Sequence, residues 1–207
     1  VTAAMAGTKQ MDRNTIAGQI AFLIEADRLK GVTRNTLLAD RSRFENSAEH
    51  SWHVALTASI LFDSASAKGM DLSRILKMLL VHDLVEIDAG DLLCYDSDQL
   101  LSQKEREKEA AERIFGLLPD DQGGMLRQLW QEFDAMETPE AWFANAVDRL
   151  QPLLQAVRTQ GETWRQHGIM KHQVVQRMQP IRKALPHLWC RVLEMIDNAS
   201  EAGYLAQ

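Results

Sequence analysis

Cysteine is nearly absent. The chain has only Cys94 and Cys190, far apart and outside any CxxC pair. That argues against a disulfide framework and a thiolate metal site, and it fits a reducing cytoplasm. No apolar run is long enough to span a bilayer, so no membrane association is expected. Residues 1–11 lack the basic stretch and apolar core of a signal peptide. Positive charge is in deficit as well: the formal net charge is −6. A nucleic-acid polymer is therefore not an expected partner, although a local basic pocket could still hold one small phosphate. Proline and glycine are sparse, at 5 and 11 of 207 residues, and no linker or repeat interrupts the chain. One domain spanning 1–207 follows.

Helical spacing dominates what is present. Ile16, Ile20, Phe22, Leu23 and Ala26 mark an amphipathic helix at about 12–29. Residues 30–48 read as a long polar loop, of the kind that often carries function. Val54, Ala58, Leu61 and Phe62 place a helix at about 48–67, which Asn46 or Ser47 can cap. Asp71 or Ser73 can cap the next helix, which runs through Leu79 and Leu80 into His82 and Asp83. Further helices are expected at about 103–116, 120–136, 139–160, 171–184 and 186–203, with Pro152 kinking or dividing the 139–160 segment. No strand alternates convincingly. The expected fold class is all-α, with roughly eight helices, a core of site residues at about 43–152 and C-terminal packing helices at about 163–204.

The chemistry centres on LLVHDLVEIDAGD, residues 79–91. His82 and Asp83 are adjacent, Glu86 follows one turn later on the face of His82, and Asp91 comes after a turn. Buried carboxylates are costly unless paired or bound to metal. Capping by Asp88 or Asp91 and a salt bridge to Glu86 would also account for these acids, so the dipeptide needs distant partners. NSAEHSWHV, residues 46–54, offers His50 and His53 on one helical face. AWFANAVDRLQPLL, residues 141–154, embeds Asp148 in an apolar segment, where Arg149 or Arg158 is the alternative partner. Taken together, His50, His82, Asp83 and Asp148 supply two nitrogens and two oxygens from three helices. That mixed set suits one divalent ion of Mn, Co, Fe, Ni, Zn or Mg, with positions left for water and substrate.

The order H…HD…D resembles the HD superfamily of metal-dependent phosphohydrolases, in the branch of the bacterial 5'-deoxynucleotidases. The residues that carry the resemblance are RFENSAEHSWHVAL (43–56), KMLLVHDLVEIDAGD (77–91), AAERIFGLLPDDQ (110–122) and TPEAWFANAVDRLQP (138–152). The resemblance implies metal ligation by His50, His82, Asp83 and Asp148, but not by His53. It implies that Glu86 activates or orients water and that Asp91 acts near the leaving oxygen. It also implies a phosphate-binding arginine upstream of the first histidine helix, for which Arg34 and Arg43 are the candidates, with Arg41 in the same loop. In that branch a tryptophan beside the arginine helps to reject ribose. Here Arg34 is followed by Asn35 and Thr36, so the sugar preference is left open. A homodimer is likewise implied.

The expected activity is hydrolysis of a small phosphorylated substrate, a nucleoside 5'-monophosphate. A catalytically silent nucleotide-binding module and a phosphodiesterase are the alternatives. The second would call on histidines such as His167, His172 and His187 for another metal.

Overall fold

The computed structural model describes residues 13–95 and 100–206. The stretch expected to lack a signal peptide, residues 1–11, lies outside them, as does the first residue of the expected 12–29 helix. Helix α1 runs Arg13–Asp27 and a 3-10 turn follows at Arg28–Gly31. Two short strands come next, β1 at Thr33–Leu37 and β2 at Phe44–Asn46. The remaining helices are α2 Ser47–Leu61, α3 Leu72–Val81, α4 Glu86–Ala89, α5 Leu100–Phe115, α6 Asp120–Ala135 and α7 Pro139–Arg158. The C-terminal set is α8 Glu162–Gln166, α9 Lys171–Arg177, α10 Gln179–Ala184 and α11 Pro186–Glu201. Eight of these helices have seven residues or more, as expected for a mostly helical fold.

Helix α7 is the central element. Thr138 caps it by accepting from the Ala141 amide at 3.2 Å, and Pro139 occupies its first turn, where a missing N–H costs little. Ala141, Phe143, Ala144, Ala146, Val147, Leu150 and Leu153 are all buried, so apolar contacts surround the helix on nearly every side. Helices α2, α3, α6 and α10 pack against it. Pro152 does not divide the helix, one of the two outcomes expected, and α7 runs on to Arg158. It removes the amide that would have bonded to the carbonyl of Asp148, one turn earlier.

Three further boundaries differ from the sequence reading. Residues 33–37 and 44–46 form an antiparallel pair, with Thr33 opposite Asn46 and Leu37 opposite Phe44, where a loop was expected. The strand escapes detection because its residues, TRNTL, do not alternate: it carries polar side chains into a polar cavity rather than an apolar face into a core. His82 is the C-cap of α3 and not an interior residue, and a tight turn separates it from α4. The expected 171–184 helix is broken at Met178 into α9 and α10.

Capping fixes the start of α2. Asn46 accepts from the Glu49 amide at 2.9 Å, and the Glu49 carboxylate accepts from the Asn46 amide at 3.2 Å, a reciprocal capping box. Asp71 caps α3 through the Ser73 amide at 2.8 Å. Gly90, with φ of 76°, closes α4 and turns the chain toward Asp91. None of the described helices is long and apolar enough to cross a membrane.

Candidate metal centre

Helices α2, α3 and α7 bring His50, His82, Asp83 and Asp148 together. Donor atoms of His50, His82 and Asp83 all lie within 4.8 Å of one another, and the three residues are buried. One carboxylate oxygen of Asp148 lies 2.9 Å from His50 Nε2 and 3.4 Å from His82 Nε2. Asp148 pairs with these histidines and not with Arg149 or Arg158.

The second nitrogen of each imidazole is already committed. His82 Nδ1 donates to the Leu79 carbonyl oxygen at 2.8 Å. His50 Nδ1 donates to the side-chain oxygen of Gln151 at 2.9 Å. Gln151 in turn donates to Glu45 Oε1 at 2.8 Å, as does Gln155 at 2.9 Å. Both rings therefore present Nε2 to the shared space, the tautomer a metal ligand needs. His82 Nε2 is buried and has no hydrogen-bond partner, although oxygens of Asp83 and Asp148 lie 3.0 and 3.4 Å away. A buried imidazole nitrogen facing carboxylates calls for a cation between them, a proton in the metal-free fold or a metal ion in its place. The donors present thus fit a metal ion.

Acids and one arginine line the approach. Arg34, from β1, bonds Asp83 at 2.7 Å and lies 4.0 Å from Glu86 and 3.9 Å from Asp91. Burial disfavours its charge, but Asp83, Glu86 and Asp91 outweigh that and hold it protonated. Glu86 is pushed well above the ordinary carboxylate range, chiefly by burial and then by the charge of Asp83. Its Oε2 accepts from Ser47 Oγ at 2.6 Å. Asp91 is raised by burial, against the pull of Arg34. Its Oδ2 accepts from both the backbone amide and the side-chain amide of Asn35, each at 3.1 Å. Asp148 is also buried, yet its histidine partners keep it well below the ordinary range.

His82, Asp83, Glu86, Asp91, Asp148 and Arg34 line one cavity of about 200 Å³. Arg43 is not brought to it. Its guanidinium is exposed and forks onto Glu49, with one contact at 2.9 Å. His53 stands behind the site, 3.2 Å from Gln151. His167, His172 and His187 are exposed and do not line the cavity. The sequence reading missed Glu45 and Gln151. A buried glutamine three residues after Asp148, inside an otherwise apolar segment, was the available signal. Glu45, two residues before the helix, offered none.

Histidine and aspartate at one helix end, joined by a histidine and an aspartate from two other helices, set this fold among the HD phosphohydrolases. Residues 26–189 match the HD domain, and the chain belongs to the HD-domain family. It is 30% identical over 141 residues to the 5'-deoxynucleotidase HDDC2 of Mus musculus, covering 68% of this chain and 69% of that one. The Homo sapiens protein of the same name is 30% identical over 138 residues, 66% of each chain. Among solved structures, a predicted metal-dependent phosphohydrolase from Magnetospirillum magnetotacticum superposes with a TM-score of 0.89 at 44% identity, covering 94% of this chain and 97% of that one.

Proposed function

We propose that this protein is a divalent-metal-dependent phosphohydrolase that removes the phosphate of a nucleoside 5'-monophosphate. The observation that carries the reading is His82 Nε2: buried, without a hydrogen-bond partner, and facing the space it shares with His50, Asp83 and Asp148. Those four residues would hold one ion. When bound, the ion lowers the pKa of a water molecule and polarises a phosphoryl oxygen.

The remaining steps belong to the chain. Glu86 accepts the proton of the attacking water. Ser47 holds its Oε2, which leaves Oε1 for the water. Asp91 supplies a proton to the departing 5' oxygen as the P–O bond breaks. Its raised pKa keeps that proton available, and Asn35 fixes Oδ2 so that Oδ1 carries it. Arg34 contributes unused N–H donors to the phosphoryl oxygens while one stays on Asp83. The named 5'-deoxynucleotidases among the relatives support a nucleotide substrate. The proposal covers ribose and deoxyribose alike, because Asn35 takes the place beside Arg34 and is engaged with Asp91. The exposed apolar residues Trp52, Leu56 and Ile60 of α2 support a homodimer, which sedimentation checks.

The test is release of inorganic phosphate from ribo- and deoxyribonucleoside 5'-monophosphates with Mn, Co or Mg. Phosphate release that disappears on chelation is expected. No release from any ester with any of these metals would overturn the reading.

A further inference from the structure

The cavity does not end at the metal centre. Its wall continues through Tyr95, Arg149, Trp164 and Arg177, on α7, α8 and α9 and the segment after α4. Neither Arg149 nor Arg177 has a carboxylate within ion-pair distance among the described residues. Among the described residues, every ion pair in the cavity wall that involves an arginine belongs to Arg34. Arg149 is nevertheless fixed in place. It donates to the Arg177 carbonyl at 3.0 Å and to Asn145 Oδ1 at 3.3 Å, with Met136 Sδ at 3.5 Å. Asn145 is buried and anchored in turn, donating to the carbonyls of Phe133 and Ala141 at 2.8 and 3.1 Å.

Charge is thus divided along the wall. The metal end carries Asp83, Glu86, Asp91 and Asp148 against Arg34. The other part carries Arg149 and Arg177, which both line the cavity, with Arg149 bonded to the backbone carbonyl of Arg177. Two arginines that line one cavity without an ion-paired carboxylate among the described residues suit an anion, and two guanidiniums suit a dianionic phosphate better than a single carboxylate.

We propose that Arg149 and Arg177 form a second phosphate subsite, and that the substrate is a nucleoside 5'-monophosphate that carries a further phosphate elsewhere on the molecule. This deepens the phosphohydrolase reading and rests on it for the word substrate, but the subsite itself can be tested without catalysis. The full chain is stripped of metal with a chelator and titrated calorimetrically with inorganic phosphate. One phosphate is expected to bind. Arg177→Gln should weaken it about 10- to 100-fold, the usual worth of a charge-assisted contact to an anion. Arg177→Lys, which keeps the charge, should recover most of the loss, and this separates the charge from any effect on folding. Absence of phosphate binding in the wild-type chain, or equal binding by Arg177→Gln, overturns the subsite. Phosphate release from a monophosphate by a chain that fails this titration would sink the subsite and spare the hydrolase. Arginine-dependent binding without hydrolysis of any ester would do the reverse.

Discussion

His50 and Gln151 are joined by a 2.9 Å hydrogen bond that decides which ring nitrogen of the histidine faces the metal centre. Gln151 can hold that role because Glu45, buried in β2, accepts its amide at 2.8 Å. Replacing Gln151 by Leu keeps the volume but leaves the imidazole free to rotate or change tautomer. Metal affinity should fall about 10- to 100-fold, the usual cost of losing such a support. Competition with a chromogenic chelator measures it, and an affinity equal to that of the wild type would show that Gln151 does not orient the ring.

Asp83 and Glu86 are close neighbours with different expected roles, and two substitutions separate them. Asp83→Ala removes a proposed ligand and should leave the purified protein with almost no bound metal. Glu86→Gln preserves shape and should leave metal content unchanged while turnover drops about 10²- to 10⁴-fold, the range for a lost general base. Elemental analysis beside a phosphate-release assay resolves the two. Metal loss in Glu86→Gln would move that residue into the ligand set.

The grouping of His50, His82, Asp83 and Asp148 with Glu86 and Asp91 was legible from the short spacing within LLVHDLVEIDAGD, although the helix expected through His82 ends there and a turn carries the chain to Glu86. Arg34 was legible only as one of several arginines. A strand whose side chains are polar on both faces has no periodic signature, so its direction into the cavity came from the structure alone. Arg149, like Arg158, was the alternative partner for Asp148. Adjacent helical residues project about 100° apart, and that angle sends Asp148 to the histidines and Arg149 to Arg177. The split at Met178 escaped notice because apolar spacing continues across it from Val174 and Val175 to Ile181.

Gly161 makes the turn from α7 into α8 with φ of 66°. A Cβ there would stand 2.5 Å from Tyr204 Cβ and 2.8 Å from the Tyr204 carbonyl oxygen. Both the backbone conformation and the contact disfavour a side chain, so Gly161→Ala should cost about 1–3 kcal/mol. Urea unfolding monitored by tryptophan fluorescence reads the change. An unchanged midpoint would mean that the C-terminal segment shifts aside freely.

His82 couples the metal centre to pH. In the metal-free fold burial pulls its imidazolium down, but the charge of Asp83 and then Asp148 outweigh that and raise its pKa to about 9. His50 is raised as well, by Asp148 and Glu45, against its burial and the charge of Arg34. A folded pKa above the unfolded value of about 6.5 gives stability that is complete below pH 6.5 and is lost as pH rises through 9. The chelated protein should therefore melt at progressively lower temperature across that window. A metal ion must displace the same protons, so its affinity should climb with pH and level off near 9. The two trends have opposite sign, and the gap in melting temperature between metal-loaded and chelated protein should widen from pH 6.5 to 9. Thermal scans at several pH values, with and without Mn, measure it. A gap that stays constant or narrows would show that His82 binds no proton in the metal-free fold.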